Sequence, residues 1–172
     1  MDISLFNGSG TIDGFTVKNP EKFSDEAAIQ IQEMSVQVDL NSLFSSTILV
    51  KNVRIINPQL YFEQRGFGAN LKTLNDNMEL SSGESSDKKM IIEHLLIEDG
   101  QVKVSTQIDS KRTAEAHISE FELEGIGRDG SNTMRQTVKQ VMRPLLEKAI
   151  AEAIKDGAVE QLENKVKNFL GN

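Results

Sequence analysis

No cysteine and no tryptophan occur in these 172 residues, proline appears three times, and aromatic side chains make up only 5%. Without cysteine there is neither a disulfide framework nor thiolate chemistry, although the absence selects no compartment, since many periplasmic proteins also lack it. Long apolar runs are missing too. None approaches the roughly 20 residues that cross a bilayer, and Met1-Asp2-Ile3-Ser4 has neither the basic nor the apolar region of a signal peptide. The chain as given reads as soluble, and a start within a few residues of the first strand is consistent with a trimmed targeting or anchoring segment. Basic charge is scarce as well. A formal charge of −7 and a pI near 4.9, with no extended basic surface visible in the sequence, argue against broad nucleic-acid binding.

What is present is a repeated spacing of apolar residues. Ile48, Val50, Val53 and Ile55 advance in steps of two, three and two, and so do Ile29-Ile31-Met34-Val36, Met90-Ile92-Leu95-Ile97 and Ala116-Ile118-Phe121-Leu123. Gly10, Ile12, Phe15 and Val17 give a weaker fifth copy. A helix would scatter these positions around its cylinder, whereas a period of two read from either end fits a pleated strand. The alternation slips by one residue at Asp13/Gly14, Gln32/Glu33, Lys51/Asn52, Glu93/His94 and Ser119/Glu120. A bulge at each slip keeps both halves facing one side and bends the strand; the alternative is two short strands separated by a kink.

In chain order, residues 3–6, 11–18 and 28–39 read as strands and 40–44 as a helical turn. Residues 47–56 and 59–64 read as a hairpin around Asn57-Pro58. That hairpin has an echo 42 residues later, with Asp99-Gly100 at the matching turn, and residues 116–123 resemble 29–36 at an offset of 87. The two offsets speak for shared strand geometry before gene duplication. Residues 69–78 read as a short helix using Leu71, Leu74 and Met78, and 81–89 as a mobile linker without apolar residues. From residue 131 the spacing turns helical, first through Met134, Val138, Val141, Leu145 and Ile150, then through Val159, Leu162, Val166 and Phe169. Pro144 should kink or divide the first of these helices.

Chemistry is sparse. Residues 125–130 match GxGxxG, but no second parallel strand follows, so a flexible connector is the better reading. His94 and His117 occupy positions filled elsewhere by Asn52 and Gln30, as solvent-facing polar slots do, and neither has a second histidine or a cysteine near it for a metal. Glu120, Glu122 and Glu124 line one side of a strand as a solvated face. No GxSxG elbow or P-loop occurs, so no enzyme is expected, and no cofactor.

The segments Gly10-Thr11-Ile12-Asp13-Gly14-Phe15-Thr16-Val17-Lys18-Asn19-Pro20 with Phe23, residues 36–43 and 53–60, Asn70-Leu71 and residues 91–104 together resemble the AsmA-like family of bacterial envelope proteins. Their order and spacing carry the likeness, which covers roughly residues 8–105. The resemblance implies a periplasmic domain tethered to the inner membrane by an N-terminal helix, and a role in outer-membrane assembly or lipid homeostasis. Larger relatives resemble chorein-type lipid-transfer proteins with an apolar trough. This chain lacks the anchor and is short, so a trough bridging two membranes is not implied.

The expected fold is α+β: a strongly twisted antiparallel sheet of about seven strands over residues 1–130, with two amphipathic helices over 131–172 packing on it. The expected contact face for an acyl chain or apolar segment is Ile29, Ile31, Met34, Val36, Val50, Val53, Ile55, Ile92, Leu95 and Ile97. The partners expected are a phospholipid or acyl chain and other envelope proteins. The rival reading is an assembly module whose apolar face is filled by its own helices.

Overall fold

The computed structural model describes residues 2–4, 6–65, 68–81, 88–106, 113–129, 136 and 140. Seven strands form one sheet: β1 (Asp2–Ser4), β2 (Ser9–Lys18), β3 (Ala27–Val38), β4 (Thr47–Arg65), β5 (Gly68–Ala69), β6 (Lys89–Thr106) and β7 (Thr113–Ile126). A 3₁₀ turn (Leu40–Phe44) joins β3 to β4, and α1 (Asn70–Ser81) lies between β5 and β6. The strand order is β1-β2-β3-β4-β6-β7, with β5 paired to the end of β4. Neighbours are antiparallel except β4 and β6, which run parallel at the centre.

The expected α+β class and antiparallel sheet are therefore corrected. Among the described elements the fold is a mixed β-sheet with one 12-residue helix, and it contains no C-terminal amphipathic helix. The two helices and Pro144 expected over 131–172 fall outside the described residues, save for positions 136 and 140. Residues 82–87 of the expected linker also lie outside them, whereas Lys89 opens β6.

The hairpin reading is corrected as well. Asn57-Pro58 and Asp99-Gly100 turn nothing: β4 runs through as one strand of 19 residues and β6 as one of 18. Asn57 and Asp99 do adopt left-handed backbone, at φ 49° and 53°. They adopt it in mid-strand without any shift of register, since Ile31↔Pro58 and Glu33↔Ile56 flank Asn57, and Ile56↔Glu98 and Gln59↔Gln101 keep the same offset past both residues. The 42-residue echo is the register of the parallel pair itself, held from Thr47↔Lys89 to Gln64↔Thr106. Two bent strands lie side by side in parallel only if their bends coincide, so the same spacing was required twice.

The irregularity extends across the whole sheet. Pairing is unbroken in register on both sides of one row, Gly14–Gln32–Asn57–Asp99–Ser119, and the bridges are interrupted along it. Gly14, at φ 71°, supplies the left-handed position on β2. A second, shorter line passes through Lys51, Glu93 and Gly125, the last at φ 63°. The interrupted row makes one fold line across the sheet, whereas the register shifts lie elsewhere, at Val17/Lys18 between β2 and β3 and at Gln37/Val38 between β3 and β4, where Lys51 is the extra residue. The same geometry excludes duplication of a rigid β3–β4 unit. β3 flanks β4 on one side and β7 flanks β6 on the other, so translating the first pair along the sheet would place β3 where β4 already lies.

Candidate functional site

With the register fixed, the apolar positions line up in rows across the sheet. One row runs Ile12–Met34–Ile55–Ile97–Phe121, and the next Gly10–Val36–Val53–Leu95–Leu123. Beyond the fold line Val17–Ile29–Leu60–Val102–Ala116 forms another, and Val38–Val50–Ile92–Ile126 closes the opposite end. Between them runs Ile31–Pro58–Gly100–Ile118, in which a Cβ on Gly100 would lie at ordinary contact distance, 3.5 Å from Pro58 and 3.6 Å from Ile118. All ten residues expected to form the contact surface stand on this one face.

Their accessibility differs. Val50, Ile92, Leu95 and Ile97 are buried in the core with Val102, Ile118, Phe121 and Ile126, and Leu71 and Leu74 of α1 belong to the same cluster. Ile29, Ile31, Met34, Val36, Val53 and Ile55 are only half-buried, as are Ile12 and Val17, and Phe15 on β2 is 41% exposed. Along the β3–β4 half, then, the apolar face remains partly accessible. Beside it, Ile12, Val36, Val38, Leu40 and Leu43 line an apolar cavity of about 250 Å³.

The opposite face is polar and largely paired across strands. Arg54 bonds Glu98, Asn52 donates to Gln37 at 3.0 Å, and Asn57 donates to Gln32 at 3.0 Å. Gln30, Gln59, Gln101 and His117 stand side by side, which is why one histidine fits a slot that three glutamines fill. With Tyr61, Lys103 and Glu26 they line a shallow polar groove of about 340 Å³, in which the Lys103 ammonium lies 5.6 Å from the Tyr61 ring centre.

His94 stands beside Asn52 and opposite Glu124, its Nδ1 3.4 Å from that carboxylate. Glu122 joins them, and the three exposed side chains can each offer one ligand atom within 4.8 Å of the others. Sequence spacing missed this grouping, because the glutamates arrive from a different strand. Proximity of exposed, hydrated groups is all that speaks for a cation there. The GxGxxG stretch begins inside β7, whose paired neighbour among the described residues is the antiparallel β6, so the parallel strands that a dinucleotide site needs are not beside it.

A buried polar network ties down the other end of the sheet. Asn70, fully buried at the start of α1, donates to Asn19 Oδ1 (2.7 Å) and to the Tyr61 carbonyl (2.6 Å), and accepts from the amides of Glu63 (2.9 Å) and Leu71 (2.8 Å). Glu63, also buried, accepts from the Ser24 amide (2.8 Å), the Ser24 hydroxyl (2.7 Å) and Arg65. Burial pushes the Glu63 carboxyl up, but the two Ser24 bonds and the Arg65 guanidinium outweigh it and hold it below the ordinary range. The arrangement is structural, because every donor and acceptor named here is satisfied within it. It also brings Asn19-Pro20 and Asn70-Leu71, two of the segments that carry the family resemblance, into contact.

No protein-family model, no curated protein and no solved structure matches this chain. Among the described residues, no helix is long and apolar enough to cross a membrane.

Proposed function

We propose that this chain is a non-enzymatic domain of the bacterial envelope that binds lipid acyl chains, or apolar segments of similar width, along the accessible half of its apolar face. The observation that carries the reading is the apolar surface of Ile29, Ile31, Met34, Val36 and Val38 on β3 with Val53 and Ile55 on β4, left half-buried where Val50, Leu60 and the rows toward β6 and β7 are closed. From Ile29 to Val38, β3 advances about 30 Å at ~3.3 Å per residue. An extended lipid chain fills half of a bilayer's ~30 Å hydrocarbon core, about 15 Å. One chain therefore fits along the strands with room to spare.

Binding of this kind is apolar burial at roughly 0.8 kcal/mol per methylene, with little selection among head groups. The resemblance to AsmA-like proteins supports a periplasmic setting, an inner-membrane tether in the full-length protein, and work in outer-membrane assembly or lipid homeostasis. A second reading, an assembly module, draws on the burial of Val50, Ile92, Leu95 and Ile97, which removes four of the ten expected contacts from any ligand.

Native mass spectrometry of the purified protein decides between them. Co-purifying phospholipid that is lost in Ile31→Asp or Met34→Asp supports the acyl reading. A clean apo mass that persists after incubation with excess fatty acid refutes it.

A further inference from the structure

Two phenylalanines stand in solvent at one end of the sheet. Phe6, before β2, is fully exposed, Phe44 in the 3₁₀ turn is 93% exposed, and Leu43 beside it is 40% exposed. Neither support is loose. Val38 donates to the Gly8 carbonyl at 2.8 Å, which fixes the β1–β2 turn against β3. The 3₁₀ turn is held by Asp39, which accepts from the Asn41 amide at 2.9 Å, and by Ser42, whose hydroxyl bonds the Asp39 carbonyl at 2.6 Å and accepts from Leu49 at 2.9 Å. A chain poor in aromatic residues thus presents two of its eight phenylalanines outward beside hydrogen-bonded turns.

Exposed lysines stand beside them. The Lys88 ammonium bonds the Leu43 carbonyl at 2.9 Å, Lys89 follows at the start of β6, and both side chains are exposed. Asp39, the nearby carboxylate, is engaged by Lys51 at 3.2 Å and by the Asn41 amide, which together hold it below its ordinary pKa. Arg128, exposed, lies on the turn after β7 at this same end, with Asp129 beside it. Directly behind the exposed residues is the apolar cavity lined by Leu40, Leu43, Ile12, Val36 and Val38, the last three belonging to the rows of the contact face.

We propose that Phe6, Leu43 and Phe44 form a membrane-docking tip that inserts into the interface of an anionic bilayer, with Lys88 and Lys89 at the phosphate level. Exposed apolar points beside exposed ammonium groups meet what such an interface offers, hydrocarbon below and negative charge above. The proposal rests on the acyl-binding reading in naming the bilayer as the source of the chain, which would enter the contact face through the cavity behind the tip.

Because the chain has no tryptophan, Phe44→Trp places a single indole reporter at the tip. Vesicles of phosphatidylcholine with phosphatidylglycerol should shift its emission to the blue and allow quenching by brominated acyl chains. Adding Phe6→Ser should weaken vesicle binding about tenfold or more, and adding Lys88→Glu with Lys89→Glu should do the same. Unchanged emission with vesicles overturns the proposal, as does an equal blue shift without lipid accompanied by dimer formation in sedimentation velocity. Binding of a soluble fatty acid, measured in parallel, keeps the two readings apart. Vesicle binding without fatty-acid binding upholds the tip and sinks the acyl face, and fatty-acid binding without vesicle binding does the reverse.

Discussion

Replacing Asn70 with alanine removes a side chain that no solvent reaches and that four hydrogen bonds hold. The substitution leaves the Glu63 and Leu71 amides, the Tyr61 carbonyl and the Asn19 side-chain oxygen without that partner. A buried polar group left unsatisfied costs about 1–3 kcal/mol, and water entering the vacated space restores part of the loss, so a net cost of about 4 kcal/mol is expected. For a chain of this length that lowers Tm by roughly 8–16 °C. Asn70→Asp separates polarity from volume. It keeps the two accepted bonds but sets a carboxylate oxygen against the Tyr61 carbonyl and Asn19 Oδ1, so near neutral pH it should be about as damaging as alanine. Urea titration followed by circular dichroism measures both. A loss below about 1 kcal/mol for Asn70→Ala would show that the network is ornamental and that β4 and α1 are held by apolar packing alone.

Three further outcomes are expected of the same fold. Gly8→Ala should cost about 3 kcal/mol in urea titration, because a Cβ there would stand 2.2 Å from the Val38 carbonyl oxygen, whereas Gly14→Ala, with open space around it, should cost only the roughly 1 kcal/mol of left-handed strain. Asp99→Gly should change stability by less than about 0.5 kcal/mol, relief of strain at φ 53° being offset by greater freedom of the unfolded chain, and Asp99→Val should lose about 2 kcal/mol. The depressed Glu63 pKa stabilises the fold above its unfolded value near 4.5, and this contribution is lost as pH falls through the lower folded value; the unfolding free energy of Glu63→Gln should therefore fall less steeply below pH 4.5 than that of the parent.

How far the fold could be read in advance depended on the range of the interaction. A period of two with one slip is local, so Ile29 to Val36 and Ala116 to Leu123 announce strands and their inward face without help from the rest of the chain. Asn57-Pro58 and Asp99-Gly100 misled because a turn and a left-handed residue within a continuous strand ask the same thing of the backbone, a residue tolerant of positive φ, and only the neighbouring strand decides which is made. The missing information was present in the echo, since two segments punctuated at equal intervals match the requirement for lying abreast. That these ten apolar residues share one face was legible, but the division of that face into closed and accessible halves depends on strand order. The polar network was invisible. Asn19, Ser24, Glu63 and Asn70 are ordinary polar residues in sequence and acquire partners only when the ends of three elements meet.

The parallel seam also sets an order of events during synthesis. Strands β1 to β4 form a meander from near neighbours, but β4 must wait for the chain to travel through α1 and back before β6 can lie beside it. Until then a 19-residue ribbon presents an open ladder of amides and carbonyls, the kind of edge that recruits stray chains. The nascent protein is therefore most prone to aggregation just before its centre is closed, and its vulnerable surface at that moment is one that the finished molecule never displays.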